Sequence, residues 1–152
     1  MKPPRKILVC GIGNTLRGDD GAGIAVAEQI AQLQLQDVTV ETRRQLQPEM
    51  AEYFPQYDIV LVADASVVAN EVEITKATCT HVFAPASSHH INLTLLNAMA
   101  AQLYGKEINL YSCAVPAAQF EIGENFSAAT AKHVKTAVQK ITQWLQTINN
   151  EH

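Results

Sequence analysis

No stretch of this chain approaches the roughly 20 consecutive apolar residues of a membrane span, and no run of basic residues marks a nucleic-acid or anionic-lipid footprint. The densest basic cluster, Lys2, Arg5 and Lys6, is a terminal fringe on a chain of net charge -4. The apolar residues that follow, Ile7 to Cys10, stop at Gly11 and are too short for a secretory h-region. Cysteine is scarce as well. Cys10, Cys79 and Cys113 form an odd set without a CxxC pair. Free thiols in a reducing cytosol suit that pattern better than disulfides or a zinc site. The chain also lacks an HExxH metal motif, a GxSxG nucleophile elbow, internal repeats and low-complexity linkers. These absences exclude nucleic-acid binding and membrane insertion, and they predict a cytoplasmic protein.

The 152 residues are 47% hydrophobic and 17% charged, enough for one domain over 1–152 with a full core. Short apolar runs alternate with helical periodicity. Strands are expected at Lys6–Cys10, Val38–Thr42, Ile59–Ala63 and Ile108–Ala114, with Glu71–Thr75 as a more exposed, antiparallel edge. Helices are expected at Gly21–Leu33, Pro48–Tyr53 and Asn92–Leu103, the last burying Leu95, Leu96, Met99 and Leu103. A final helix carries Val134, Ala137, Val138, Ile141, Trp144, Leu145 and Ile148 at helical spacing. The pattern predicts an α/β fold, a three-layer α-β-α sandwich around a mostly parallel, twisted sheet of about five strands. Sites in such sheets form in loops beyond the carboxyl ends of the strands.

The first such loop runs from Gly11 to Gly21. Gly11 and Gly13 after a strand invite a dinucleotide-binding reading, with Glu41 as the ribose ligand. Leu16 stands where that fingerprint needs a third glycine, and Asp19 and Asp20 occupy a place that should be positive. Asp at a helix start is ordinarily a cap, and capping is the expected role of Asp19. Two adjacent carboxylates exceed what capping needs, and a nearby cation would relieve their repulsion. Asp64 follows the strongest apolar run and should reach the mouth of the same loop; its ordinary role would be a turn or a cap. The stretch Ser87-Ser88-His89-His90 precedes a helix, which Ser87 or Ser88 could cap, while the histidines alone read as solvated loop residues. Taken together, two carboxylates and an imidazole on loops at one sheet edge suit nickel or zinc better than calcium. His81 and Cys79, and His133 on the solvent side of the last helix, read as structural.

The run from Gly11 to Gly23, GIGNTLRGDDGAG, resembles the N-terminal signature of the [NiFe] hydrogenase maturation endopeptidases. The likeness continues at Val62-Ala63-Asp64-Ala65 and at Ser88-His89-His90-Ile91-Asn92-Leu93, and extends to size and element order. The resemblance implies a peptidase that removes a short C-terminal extension from a nickel-loaded large-subunit precursor. It implies Asp20, Asp64 and His89 as both catalytic residues and nickel ligands, His89 rather than His90 because Leu93 follows it by four. Some members carry Glu where this chain has Asp20. Nickel would be supplied by the precursor, with no other cofactor held, and the protein is expected to be a monomer. The motif glycines are expected to let the loop approach the substrate backbone, and the Glu41–Leu46 and Thr78–Ser88 regions to bear on substrate selection. Two rival readings remain: a non-enzymatic nucleotide- or metal-binding α/β module, and a stand-alone hydrolase with its own zinc.

Overall fold

A computed structural model describes residues 5–77, 92–118, 122–123 and 126–150. Short apolar runs, continuous in the central strands, build five strands, β1 (Ile7–Ile12), β2 (Val38–Arg43), β3 (Ile59–Ser66), β4 (Glu73–Ala77) and β5 (Leu110–Pro116). They form one sheet in the order β2-β1-β3-β5-β4. All neighbours are parallel except β4, which pairs antiparallel with β5 at the edge. The helices are α1 (Ala22–Gln32), α2 (Met50–Tyr53), α3 (Leu93–Tyr104) and α4 (Ala128–Asn150).

Successive strand residues point to opposite faces, and the core divides accordingly. Val9, Leu61, Ala63 and Val115 pack with Val26 of α1 and Ile141 of α4 on one side. Leu8, Cys10, Val60 and Val62 pack with Met50 of α2 and Leu96 of α3 on the other. The result is the three-layer sandwich that the strand and helix alternation predicts. Among the described residues no helix is long and apolar enough to cross a membrane.

Three expectations need correction. The segment before α1 is not helix from Gly21: a 3-10 turn, Gly18–Gly21, carries the chain into α1 at Ala22. On α3, Leu103 is exposed, because the inward stripe runs through Leu96, Asn97 and Ala100. Asn97 is held inward by its side-chain hydrogen bonds with the backbone of Ile108, 2.7 Å to N–H and 3.1 Å to C=O. The cap of α3 is Asn92, whose Oδ1 accepts the Leu95 N–H at 2.8 Å; Ser87 and Ser88 lie outside the described residues.

Gly11 of β1 and Gly23 of α1 serve the chain's own packing. A Cβ on Gly23 would stand 2.3 Å from the Ala63 carbonyl oxygen and 2.5 Å from that of Ile12. One on Gly11 would meet the Gly23 carbonyl oxygen at 2.4 Å. Helix α1 therefore rests directly on the backbones of β1 and β3. Glycine inside a helix normally costs about 1 kcal/mol against alanine, so relief of that cost would make Gly23→Ala stabilising. The contact reverses the sign. Gly23→Ala is expected to lose about 2 kcal/mol or more, a fall in melting temperature of roughly 5 °C. A melting temperature at or above wild type in a thermal unfolding scan would contradict this packing.

Candidate active site

The carboxyl ends of β1, β3 and β5 meet at one edge of the sheet. The β1–β3 ladder ends at the Gly11 and Ala63 pair, while β3 continues beside β5 from Val60–Leu110 through Ser66–Pro116. Asp64 is the first residue of β3 beyond its partnership with β1. It lies within the strand, opposite Ala114, rather than after it as the apolar run suggested. Period-two alternation puts its side chain on the face of Val60 and Val62, the face covered by α2 and α3.

Asp20 comes to the same edge from the 3-10 turn Gly18–Gly21. Its Oδ2 accepts the Asn14 N–H at 3.1 Å, which folds the loop back on itself. Gly13 permits that fold: its φ is +150°, and a Cβ there would lie 2.0 Å from the Asp20 carbonyl oxygen. Asn14 adds a local turn, its Oδ1 accepting the Leu16 N–H at 2.9 Å.

Asp64 senses its surroundings and the charge of Asp20. Asp64 keeps open surface, yet the protein atoms crowded around its carboxylate push its pKa up to about 7. Loss of hydration is the main cause, the Ala65 N–H opposes it, and the negative charge of Asp20 adds to the rise. The native state thus holds this proton from about pH 4, where a free Asp loses it, up to about pH 7. Stability from this group is present at low pH and lost as pH rises through that window. Asp64→Asn should therefore match wild type near pH 4 and exceed it above pH 7. The gain is about 1 kcal/mol once water's screening at an exposed group is allowed for. Melting curves at pH 4.5 and 8 check this; a variant less stable than wild type at pH 8 would contradict it.

Asp19 does something else. It is fully buried, and it does not cap the helix it precedes. Its Oδ1 accepts the Ser127 N–H at 2.8 Å, and its Oδ2 accepts the Ala118 N–H at 3.0 Å and the Ser127 hydroxyl at 2.9 Å. Ser127 is the residue before α4, and its Oγ accepts the Thr130 N–H at 3.2 Å. Asp19 thereby fastens the first loop to the chain leaving β5 and to the start of α4.

Around this edge lie two hollows. One, of about 440 Å³, is lined by Gly13 to Leu16, Ile24, Glu28 and Thr42 to Arg44. The other, of about 210 Å³, is lined by Ala69, Asn70, Pro116 to Ala118, Ala129, Thr130 and His133. His133 is not on the solvent side of α4. It is half-buried, and its Nδ1 is buried without a hydrogen-bond partner among the described residues.

The remaining candidates are accounted for or lie elsewhere. Glu41 accepts the Tyr53 hydroxyl at 2.7 Å and pairs with Arg43 at 3.3 Å, so it is occupied rather than free for a ribose. Cys10 and Cys113 are buried thiols, each pushed up to about 12 chiefly by loss of hydration, which keeps them protonated and unreactive. His89, His90, His81 and Cys79 lie outside the described residues. Among the described residues no three His, Cys, Asp or Glu side chains gather as metal ligands. The described part of the site is a pair of carboxylates.

Known structures share this architecture. A [NiFe] hydrogenase maturation protease, HycI from Thermococcus kodakarensis KOD1, is 24% identical with a TM-score of 0.71, each chain covered to 93%. The hydrogenase maturating endopeptidase HybD from E. coli is 19% identical with a TM-score of 0.75, again over 93% of both chains. A hydrogenase 2 maturation peptidase from Thaumarchaeota archaeon SCGC_AB-539-E09 is 20% identical with a TM-score of 0.66, over 93% of this chain and 99% of that one. No protein-family model matches this chain, and no curated protein matches it. The chain has the fold of the hydrogenase maturation proteases.

Proposed function

We propose that this chain belongs to the [NiFe] hydrogenase maturation endopeptidases and removes a short C-terminal extension from a nickel-loaded large-subunit precursor. The observation that carries this reading is the carboxylate pair. Asp20, on the 3-10 turn Gly18–Gly21, and Asp64, within β3 at the carboxyl edge of the sheet, lie close enough for the charge of Asp20 to help raise the pKa of Asp64. A permanent like-charged pair costs stability unless a cation joins it. Nickel enters as part of the substrate, and the pair is the complementary anionic half of its site.

His89 is the third ligand in this reading. What supports it is chain length: three peptide units separate it from Asn92, a reach of at most about 11 Å. Asn92 begins α3, which covers the face that Asp64 occupies. Asp20, Asp64 and His89 hold the precursor's nickel, and with it the scissile bond, beside the carboxylates. Bound nickel would supply a Lewis acid at that bond. Asp19 supports the site by fixing the loop from which Asp20 projects. The protein works as a cytoplasmic monomer and holds no nickel of its own between turnovers. The groove from Gly13 to Arg44 borders the site and is open to the precursor's chain.

The test is a mobility shift on a denaturing gel. Nickel-loaded precursor incubated with the protein should shorten, and prior removal of nickel by a chelator should prevent it. Equal shortening in both samples would overturn recognition by nickel, and no shortening with nickel present would overturn the peptidase reading.

A further inference from the structure

Apolar side chains are left in water at one place more than elsewhere. Of the seven large hydrophobic residues exposed among those described, four stand on the three loops that follow β1, β3 and β5. They are Leu16 (54% exposed), Val67 (71%), Val68 (84%) and Ile122 (94%). The others, Leu33, Leu103 and Tyr104, are at the far ends of α1 and α3, in different layers. Single exposed hydrophobes need no explanation, but a group around one site marks a contact surface.

These loops are also fastened. The Ser66 Oγ accepts the N–H groups of Val68 at 3.3 Å and Ala69 at 3.1 Å, and the Ser66 carbonyl accepts the Ala117 N–H at 2.9 Å. Leu16 and Gly123 are tied at 2.8 Å from the Gly123 N–H to the Leu16 carbonyl. A rigid apolar tip loses little freedom on binding, which favours affinity. Beside the Val67–Val68 turn, the 210 Å³ hollow ending at His133 has room for a small side chain.

We infer that Leu16, Val67, Val68 and Ile122 form a docking rim for the folded body of the large-subunit precursor, set around Asp20 and Asp64. The inference rests on the maturation reading above. Charge selects the occupant. Exposed apolar side chains on the loops beyond the strand ends that carry Asp20 and Asp64 complement an apolar protein surface that presents a cation, and the carboxylates disfavour an anionic bilayer. The rim supplies contact area, and the carboxylates supply register.

The test compares wild type with Val67→Asp/Val68→Asp and Ile122→Asp on a nickel-loaded large-subunit precursor of the source organism, with Leu33→Asp as the control at the opposite edge. Unfolding curves identify any variant that misfolds, and Val67→Ser/Val68→Ser serves as a milder version. KM should rise about tenfold or more in the rim variants, equivalent to one buried anchor lost, with kcat near wild type and the control unchanged. Unchanged KM with cleavage intact overturns the rim and leaves the maturation reading standing. Wild-type protein that cleaves no such precursor overturns both. Binding of wild type to vesicles of anionic phospholipid, lost in the double variant, assigns the rim to lipid and overturns the protein partner.

Discussion

Asp20→Asn is expected to lower processing of nickel-loaded precursor by at least about 100-fold, because loss of even an outer-shell partner of a metal costs about 10- to 100-fold. Asn keeps the shape and an oxygen that can accept the Asn14 N–H, so the loop should hold its form. The melting temperature should stay within about 2 °C of wild type, as for most substitutions on an accessible surface. What changes is charge: an amide oxygen offers a cation no formal negative charge. Asp64→Asn should lose processing to a similar degree while gaining stability above pH 7, since its own ionisation is what costs the fold there. Opposite signs for activity and stability are the mark of a residue kept for function. Initial rates by intact-protein mass spectrometry and a thermal scan on the same samples give both numbers. Wild-type rates in either variant would remove the carboxylates from the mechanism.

Asp19→Ala should show the converse, a large loss of stability. Three donors, the N–H groups of Ala118 and Ser127 and the Ser127 hydroxyl, would lose their fully buried acceptor at part-buried positions. Each unsatisfied buried donor costs about 1–3 kcal/mol. Allowing for water entering the space left behind, about 3–5 kcal/mol in total is expected, or a fall of roughly 10 °C in melting temperature. That is a large share of the 5–15 kcal/mol typical of a domain. Asp19→Asn should fall between, because its amide nitrogen turns a donor toward donors. An unchanged melting temperature in Asp19→Ala would show that the latch between the first loop and α4 carries no weight.

Adjacent in the chain, Asp19 and Asp20 turn to different partners, and the structural role the sequence suggests for Asp19 is not the local helix cap expected but a long-range latch. The partners of Asp19 are 99 and 108 positions away, so no local pattern announces them. The glycines were opaque for the same reason. Gly23 is required by Ala63 and Ile12, a contact across elements that composition does not carry. β1 and β3 are legible as short continuous apolar runs buried on both faces, and α4 as a buried face of fixed period, Val134, Ala137, Ile141, Leu145 and Ile148. Asp64 was found from the apolar run before it, although hydropathy ended the strand at Ala63. Pairing with β5 carries it to Ser66 through backbone hydrogen bonds that polar side chains do not disturb. On α3 the expected face holds at Leu96 and Met99 and fails at Leu103, because the buried Asn97 that binds the backbone of Ile108 leaves Leu103 outward. His133 was misplaced because the hollow beside it is made by residues remote in the chain, Ala69 and Pro116 among them.

In the proposed function, a cation delivered by the substrate completes the Asp20 and Asp64 pair. Intact-mass spectrometry of one large-subunit precursor, prepared nickel-loaded and nickel-free and incubated with wild type and with Asp20→Asn, tests it most directly. Loss of a C-terminal peptide is expected from the nickel-loaded precursor, with wild type alone. Equal cleavage of the nickel-free precursor, or full cleavage by Asp20→Asn, would contradict it.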